Sequence, residues 1–265
     1  MQGKIKKYNC GDVILVHKSI EYQKEDREYK PRAERNKKTS AAQQIVNQQH
    51  ASEKLFALIQ TNFKGGDLHI IPTYSTENYP DSIDEIKRQQ RNFVRRLEYA
   101  YKKKGYELKY IQVTEYEKSR VHHHYILNSV PGITVSEIQS IWRNGLVRCT
   151  PLEDNGYYKE LSDYLIKETS RTFNTEDRVY GKRWTSSRNL QKPEVTTETV
   201  KIKNDMEFLI VPQNDKGYEL IKGSEYRGIN EVTGKEFVTY AMRKIETIGS
   251  GQCQSSVCSD ERACT

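Results

Sequence analysis

The sequence contains no long hydrophobic segment. None of its apolar runs approaches the ~18–20 consecutive residues that a membrane-spanning helix needs. Residues 1–7 lead into no apolar stretch of the kind found in secretory signal peptides. We therefore expect a soluble, cytoplasmic protein without a membrane partner.

Cysteine is scarce and irregularly spaced. No CxxC pair occurs, and the five cysteines are Cys10, Cys149, Cys253, Cys258 and Cys264. A reducing compartment keeps cysteines with such spacing as free thiols. Cys253 and Cys258 lack the histidine or second cysteine pair that a tetrahedral zinc site would need, so we expect neither disulfides nor zinc.

Positive charge is in excess, with 43 Lys and Arg against 36 Asp and Glu and a net charge of +7. The excess lies in residues 1–192, which carry a net +10, whereas residues 193–265 carry a net −3. A positive field favours polyanions and suits contacts with phosphate, although solvated helix faces would produce similar clusters. The candidate contacts to nucleic acid are Lys37, Lys38, Arg95, Arg96, Arg183, Arg188 and Lys192.

The spacing of apolar residues predicts an α+β fold. The central part of the chain reads as βαββαβα, with strands at 67–74, 108–116, 121–127 and 146–150 and helices at about 82–104, 135–142 and 157–171. This order predicts an antiparallel sheet with helices packed on one side, as in ferredoxin-like or RRM-like sandwiches.

Changes of composition divide the chain into four segments. We predict a basic N-terminal hairpin and helical arm (1–62), a central domain (63–194), a small β-rich extension (195–247) and a disordered tail (248–265). The basic arm is expected to add affinity for duplex or hairpin DNA. The extension has no function that the sequence indicates.

The triplet His122-His123-His124 lies in a predicted strand. Side chains alternate along a strand, so His122 and His124 share one face and can bind one metal ion together. An incidental pair of strand histidines is the alternative interpretation.

Glu115, in the preceding strand, is the nearest candidate for an oxygen ligand to a hard cation. A two-residue connection between the strands would set Glu115 opposite His122, on the metal face. A three-residue connection would set it opposite His123, and the sequence leaves both open. Glu115 can instead form an ion pair with Lys118 or Arg120.

The helix predicted at 157–171 carries a second candidate group. Its buried stripe is predicted to comprise Tyr158, Leu161, Leu165 and Thr169. Tyr164 lies at the border of this stripe, and Lys167 follows one turn later. A tyrosine hydroxyl there can attack phosphorus while the ammonium stabilises negative charge. A partly buried tyrosine beside a solvated lysine is the alternative.

These motifs together resemble the HUH endonuclease superfamily, and within it the rolling-circle replication initiators of phages and plasmids. The resemblance covers roughly residues 60–195 and makes residues 63–194 an HUH endonuclease domain. It is carried by the His-x-His strand and by Tyr-x-x-Lys about 40 residues later, together with the segments 68–74, 113–115, 150–152 and 187–193.

The resemblance implies metal-dependent transesterification on single-stranded or hairpin origin DNA. His122, His124 and Glu115 would hold one Mg²⁺ or Mn²⁺, and Tyr164 would form a 5′-phosphotyrosine with help from Lys167. The chain lacks a GxxxxGK[ST] loop, so a host helicase and a host polymerase are expected partners.

The sequence departs from the family pattern at two positions. His123 stands where a bulky apolar residue is usual. Glu160 stands where initiators with two nucleophiles carry a second tyrosine, so a single-tyrosine enzyme is expected, with Tyr157 as a weak reserve.

Two alternatives remain. A mobilisation relaxase or a single-strand transposase would use the same chemistry. A non-catalytic nucleic-acid-binding module would instead stack bases on Tyr110, Tyr116 and Tyr125.

Overall fold

The computed structural model describes residues 1–21, 40–117, 120–173, 179 and 181–245. The tail predicted at 248–265 lies outside these residues. No helix in the described ranges is both long and apolar enough to span a membrane.

The described elements alternate between helices and strands. In chain order they are β1 (Gln2–Asn9), β2 (Val13–Ile20), α1 (Ala41–Asn62), β3 (Leu68–Pro72), α2 (Ile83–Lys103), β4 (Tyr110–Glu117), β5 (Arg120–Leu127), α3 (Val135–Trp142), β6 (Val147–Pro151), α4 (Lys159–Phe173), β7 (Thr185–Ser186), β8 (Glu194–Lys201), α5 (Asp205–Phe208), β9 (Asn214–Asp215), β10 (Tyr218–Leu220), β11 (Tyr226–Ile229) and β12 (Glu236–Lys244). The predicted α+β class is confirmed.

The first sheet has the strand order β6-β3-β5-β4-β7, and every neighbouring pair is antiparallel. The segment from β3 to β6 therefore forms a βαββαβ unit with β3 and β5 at its centre, as the ferredoxin-like prediction requires.

Helices cover both faces of this sheet, so the prediction that they pack on one side is wrong. On one face, α2 and α3 bury Phe93 and Trp142 against Tyr125 of β5. On the other face, α1 and α4 bury Leu55 and Leu165 against residues that include Ile126. The physical reason lies in β5, whose consecutive apolar residues point to opposite faces and both require cover.

The two ends of the chain form a second sheet. Its order is β8-β1-β2-β12-β10-β9, with β11 also paired to β12. The predicted N-terminal hairpin is confirmed by the β1–β2 pairing, and the β-rich extension supplies the other strands. The four-segment division of the chain stays a prediction, although its first and third segments share this sheet.

Helix α1 lies between the two sheets. Leu55 and Ile59 pack toward the first sheet, whereas Phe56 and Ala57 pack against β1 and β2. All four side chains are fully buried. The helical part of the predicted arm is therefore part of the core, and only residues 22–39, which lie outside the described residues, remain candidates for a basic arm.

Candidate active site

Strand β5 has different neighbours along its two edges. It pairs with β4 over residues 120–127, but with β3 only over residues 125–127. The histidine triplet therefore lies where β3 has already diverged. The residues that follow β3, 73–81, form a loop that leads to α2, and we call this segment the 73–81 loop.

The register between β4 and β5 settles the alternative that the sequence left open. Glu117 pairs with Arg120, and Glu115 pairs with His122, as a two-residue connection requires. Glu115 therefore shares a face with His122 and His124. Its side chain is buried.

His124 is buried beside another histidine, His69 of β3. Nδ1 of His124 lies 3.2 Å from Nε2 of His69, and the rings stack with centroids 5.4 Å apart. Nε2 of His124 is buried and has no hydrogen-bond partner among the described residues. A buried nitrogen of this kind has lost its water without gaining a protein donor or acceptor.

Both imidazoles are held in the neutral form. Burial, and then the neighbouring His69 and His122, lower the pKa of His124 to about 3. Burial, and then the positive charge of Arg148, lower the pKa of His69 to about 4. Neutral imidazole is the form that binds metals, so Nε2 of His124 is suited to coordination at neutral pH.

Helix α4 carries Tyr164 to the same face. The Tyr164 ring meets the His124 ring edge-on, with centroids 5.5 Å apart. The predicted buried stripe of α4 fixes this orientation, because Leu165 and Ile166 pack in the core beside α1. Tyr164 itself is 43% exposed and accessible to a substrate.

The phenol of Tyr164 is electrostatically coupled to its surroundings. Burial raises its pKa, and the carboxylates of Glu168 and Glu115 raise it further, while Arg148 acts in the opposite direction. A positive charge in this position favours the phenolate. Lys167 follows on the exposed side of α4, one turn after Tyr164.

Sequence reasoning missed His69 and Arg148. His69 alternates with the buried Leu68 and Ile70, so a polar residue facing the opposite side of β3 was the available signal. Arg148 lies in β6 opposite Ile71, two positions from His69. Nothing local marks Arg148, because only the strand pairing brings it to the site.

His123 occupies the opposite face of β5 and is fully buried. The Gln90 side-chain amide contacts Nδ1 of His123, and Nε2 of His123 lies 2.8 Å from the Tyr74 hydroxyl. With Nδ1 accepting from the amide, Nε2 carries the proton and donates to Tyr74. Burial, and then the neighbouring His124 and His122, lower the pKa of His123 to about 3. A polar pocket thus accommodates the histidine that departs from the family pattern.

The segment that carries this site matches the model of a known family. The family is described as replication-associated protein, ORF2 type, and the match spans residues 72–172. The match supports a replication initiator of the Rep type. It covers less than half of the chain and includes Glu115, the histidine triplet and Tyr164. No curated protein and no solved structure matches this chain.

The donors for a divalent cation share one face but do not converge. Within the described ranges, no three His, Cys, Asp or Glu side chains are grouped so as to hold a metal ion. The residue types nevertheless fit Mg²⁺ or Mn²⁺, because Glu115 supplies oxygen beside His122 and Nε2 of His124 lacks a partner among the described residues. Binding would require side-chain rotation without a change of strand register.

The predicted DNA-binding cations are spread over the molecule. Arg95 and Arg96 lie on α2, across the sheet from Tyr164, and Arg96 donates to the Trp142 carbonyl oxygen at 3.4 Å. Arg183 donates to Ser170 of α4 at 3.0 Å. The other four candidates are exposed (Arg188 and Lys192) or lie outside the described residues (Lys37 and Lys38).

The tyrosines of the alternative hypotheses are placed differently. Tyr125 is fully buried against Phe93, so it cannot serve as a base-stacking platform. Tyr110 is half-buried, and the Tyr116 side chain lies outside the described part of the structure. Tyr157 precedes α4 and packs against Phe56, with ring centroids 5.5 Å apart.

Proposed function

We propose that this protein is a replication initiator that nicks and rejoins single-stranded origin DNA through a 5′-phosphotyrosine. The observation that carries the proposal is the contact between the rings of Tyr164 and His124, at 5.5 Å, inside the segment that matches replication-associated proteins. This contact brings a nucleophile of suitable chemistry next to a neutral imidazole and a buried carboxylate.

In the nicking step, the Tyr164 oxygen attacks the scissile phosphorus and the bond from phosphorus to the 3′ oxygen breaks. The phenol proton leaves to water at the exposed edge of the ring. Lys167 and Arg148 stabilise negative charge on the phosphate oxygens. When bound by Glu115, His122 and His124, Mg²⁺ or Mn²⁺ would polarise the scissile phosphate and stabilise the leaving oxygen.

Rejoining reverses these bond changes. A free 3′-hydroxyl attacks the phosphotyrosine, the new phosphodiester forms, and the Tyr164 hydroxyl is regenerated. Each step exchanges one phosphate ester for another, so joining needs no nucleotide hydrolysis. The free 3′ end left by nicking is a primer for a host polymerase, and a host helicase is a proposed partner in unwinding.

The proposal is tested by covalent capture. Wild-type protein incubated with Mn²⁺ and labelled single-stranded DNA from its origin should give an adduct that survives denaturation. Tyr164→Phe should abolish the adduct and leave DNA binding unchanged, since only the attacking oxygen is removed.

Tyr157→Phe is the matched control, because it removes a hydroxyl from a ring that packs on Phe56. This variant should form the adduct at the wild-type rate. Adduct formation by Tyr164→Phe would refute the nucleophile assignment. Binding without any adduct from the wild type would favour the non-catalytic binding module.

A further inference from the structure

Beside the proposed catalytic face lies a cleft that the nicking chemistry does not use. Because β3 leaves β5 after residue 70, the 73–81 loop and the start of β5 enclose an open space of about 840 Å³. Val121 and His122 form its β5 side. A volume of this size is within the range of sites that hold small ligands. We call this space the loop cleft.

The wall of the loop cleft is held in place from behind. The backbone N–H groups of Thr73 and Ser75 donate to the carbonyl oxygens of Leu146 and Asn144, both at 2.8 Å. The Trp142 indole N–H donates to the Thr73 carbonyl oxygen at 2.7 Å. The wall is therefore formed before any ligand arrives, and a ligand need not spend binding free energy on ordering it.

The lining excludes phosphate and suits a nucleobase. Among the described residues that line the cleft, none is Lys or Arg, and two, Glu77 and Asp81, carry carboxylates. A DNA phosphate would be repelled there. Tyr79 is 37% exposed, lies beside the Tyr74 ring at 6.1 Å, and offers an aromatic surface on which a base can stack.

Positive charge lies on the other side of the catalytic residues. Arg148 acts on both His69 and Tyr164, and Lys167 is exposed on α4. A DNA strand crossing the site would thus place its backbone near Arg148 and Lys167 and a base on the acidic side of His122. His122 belongs to both regions, because it lines the cleft and shares the metal face.

We propose that the loop cleft binds a guanine base of the substrate strand next to the scissile phosphate, with Glu77 or Asp81 as its acceptor. The Watson–Crick edge of guanine presents adjacent N1–H and N2–H donors that match the two oxygens of a carboxylate. Thymine presents one N–H between two carbonyl oxygens, which a carboxylate repels. This inference rests on the proposed function for its substrate, and it assigns base preference to residues outside the catalytic set.

The test measures equilibrium binding, so it does not depend on nicking. Fluorescence anisotropy of Tyr164→Phe would compare a labelled thymidine oligomer with the same oligomer carrying one central deoxyguanosine. We expect the guanosine oligomer to bind about tenfold more tightly, as one two-point base contact predicts. Glu77→Gln with Asp81→Asn, added to this background, should reduce the ratio of the two affinities to near one.

Glu198→Gln, which changes an exposed acid on β8 of the second sheet, is the matched control and should keep the tenfold ratio. Oligomers with cytidine or adenosine at the same position should fall between the two extremes. A wild-type-like ratio in the double variant, or no guanosine preference before substitution, would overturn the inference. Loss of the covalent adduct with the preference intact would count against the proposed function alone.

Discussion

At the scale of single residues, the site depends on histidines that are kept neutral by burial. His123 is the most deeply buried of the triplet and contacts Gln90 and Tyr74 rather than a carboxylate. The sequence identified the alternation of the triplet correctly, because strand geometry fixes it. It could not identify the partners of His123, since these come from α2 and the 73–81 loop.

The buried His123 should make stability depend on pH. Its pKa is lowered from 6.5 in the unfolded chain to about 3 in the folded protein, so protons bind preferentially to the unfolded state. The free energy of unfolding is therefore highest above pH 6.5 and falls as the pH drops toward 3. In this range one such group contributes a slope of up to about 1.4 kcal/mol per pH unit.

His123→Gln should reduce this slope by about one group's contribution, because glutamine keeps polar atoms in the pocket but does not titrate. Urea unfolding of the wild type and the variant at several pH values between 7 and about 4 would measure the slopes. Equal slopes for the two proteins would show that His123 is not the titrating group.

At the scale of elements, local signals predicted the helices and strands well. The long helix begins after its predicted cap, Ser82, which accepts from the Glu85 N–H at 3.2 Å, and Gly105 with a φ of 83° follows its end. The predicted bounds of α3 agree with the structure. The β4–β5 register stayed open, because one residue more or less in residues 118–119 would not change the apolar pattern.

The 73–81 loop depends on one glycine of the segment that follows α3. A Cβ on Gly145 would overlap the Thr73 carbonyl oxygen and lie 2.7 Å from the Ser75 nitrogen. Gly145→Ala should therefore push the loop away from its support and destabilise the protein by about 1–3 kcal/mol. Thermal unfolding measures the loss, and the guanosine preference of the loop cleft should weaken with it.

Gly181→Ala is the matched control, because an added Cβ there meets no atom within 4 Å. This variant should unfold at the temperature of the wild type. If Gly145→Ala were equally stable, the close approach of the loop would carry no energetic weight.

At the scale of the whole molecule, the second sheet was the feature that the sequence could not predict. Its hairpin and later strands were each recognised, but β1 pairs with β8, and β2 with β12, across most of the chain. Such pairing follows from apolar faces that complement each other only in three dimensions. His17 of β2 and Glu53 of α1, at 2.7 Å, tie this sheet to the helix that it shares with the first.

The asymmetry of charge gives a prediction for the whole molecule. If Lys37 and Lys38 bind DNA phosphates, Lys37→Gln with Lys38→Gln should reduce the slope of log affinity against log salt concentration by about 0.7 for each phosphate that is no longer neutralised. Binding titrations of single-stranded DNA over a range of salt concentrations give this slope.

The matched control replaces Lys216 and Lys222, which are exposed in the acidic C-terminal part of the chain. Changing both to glutamine should leave the slope unchanged. Identical slopes for the two double variants would remove the basic N-terminal segment from the DNA-binding surface.

The pairing of β2 with β12 has a consequence for synthesis on the ribosome. The first strands emerge early, yet their partner is complete only when residue 244 has been translated. Until then, the apolar surface of α1 that β1 and β2 share with Ala241 stays open to water or chaperones. A ribosome that stalls before β12 would therefore release a nascent polypeptide that has all of its predicted catalytic residues but an unfinished support for them.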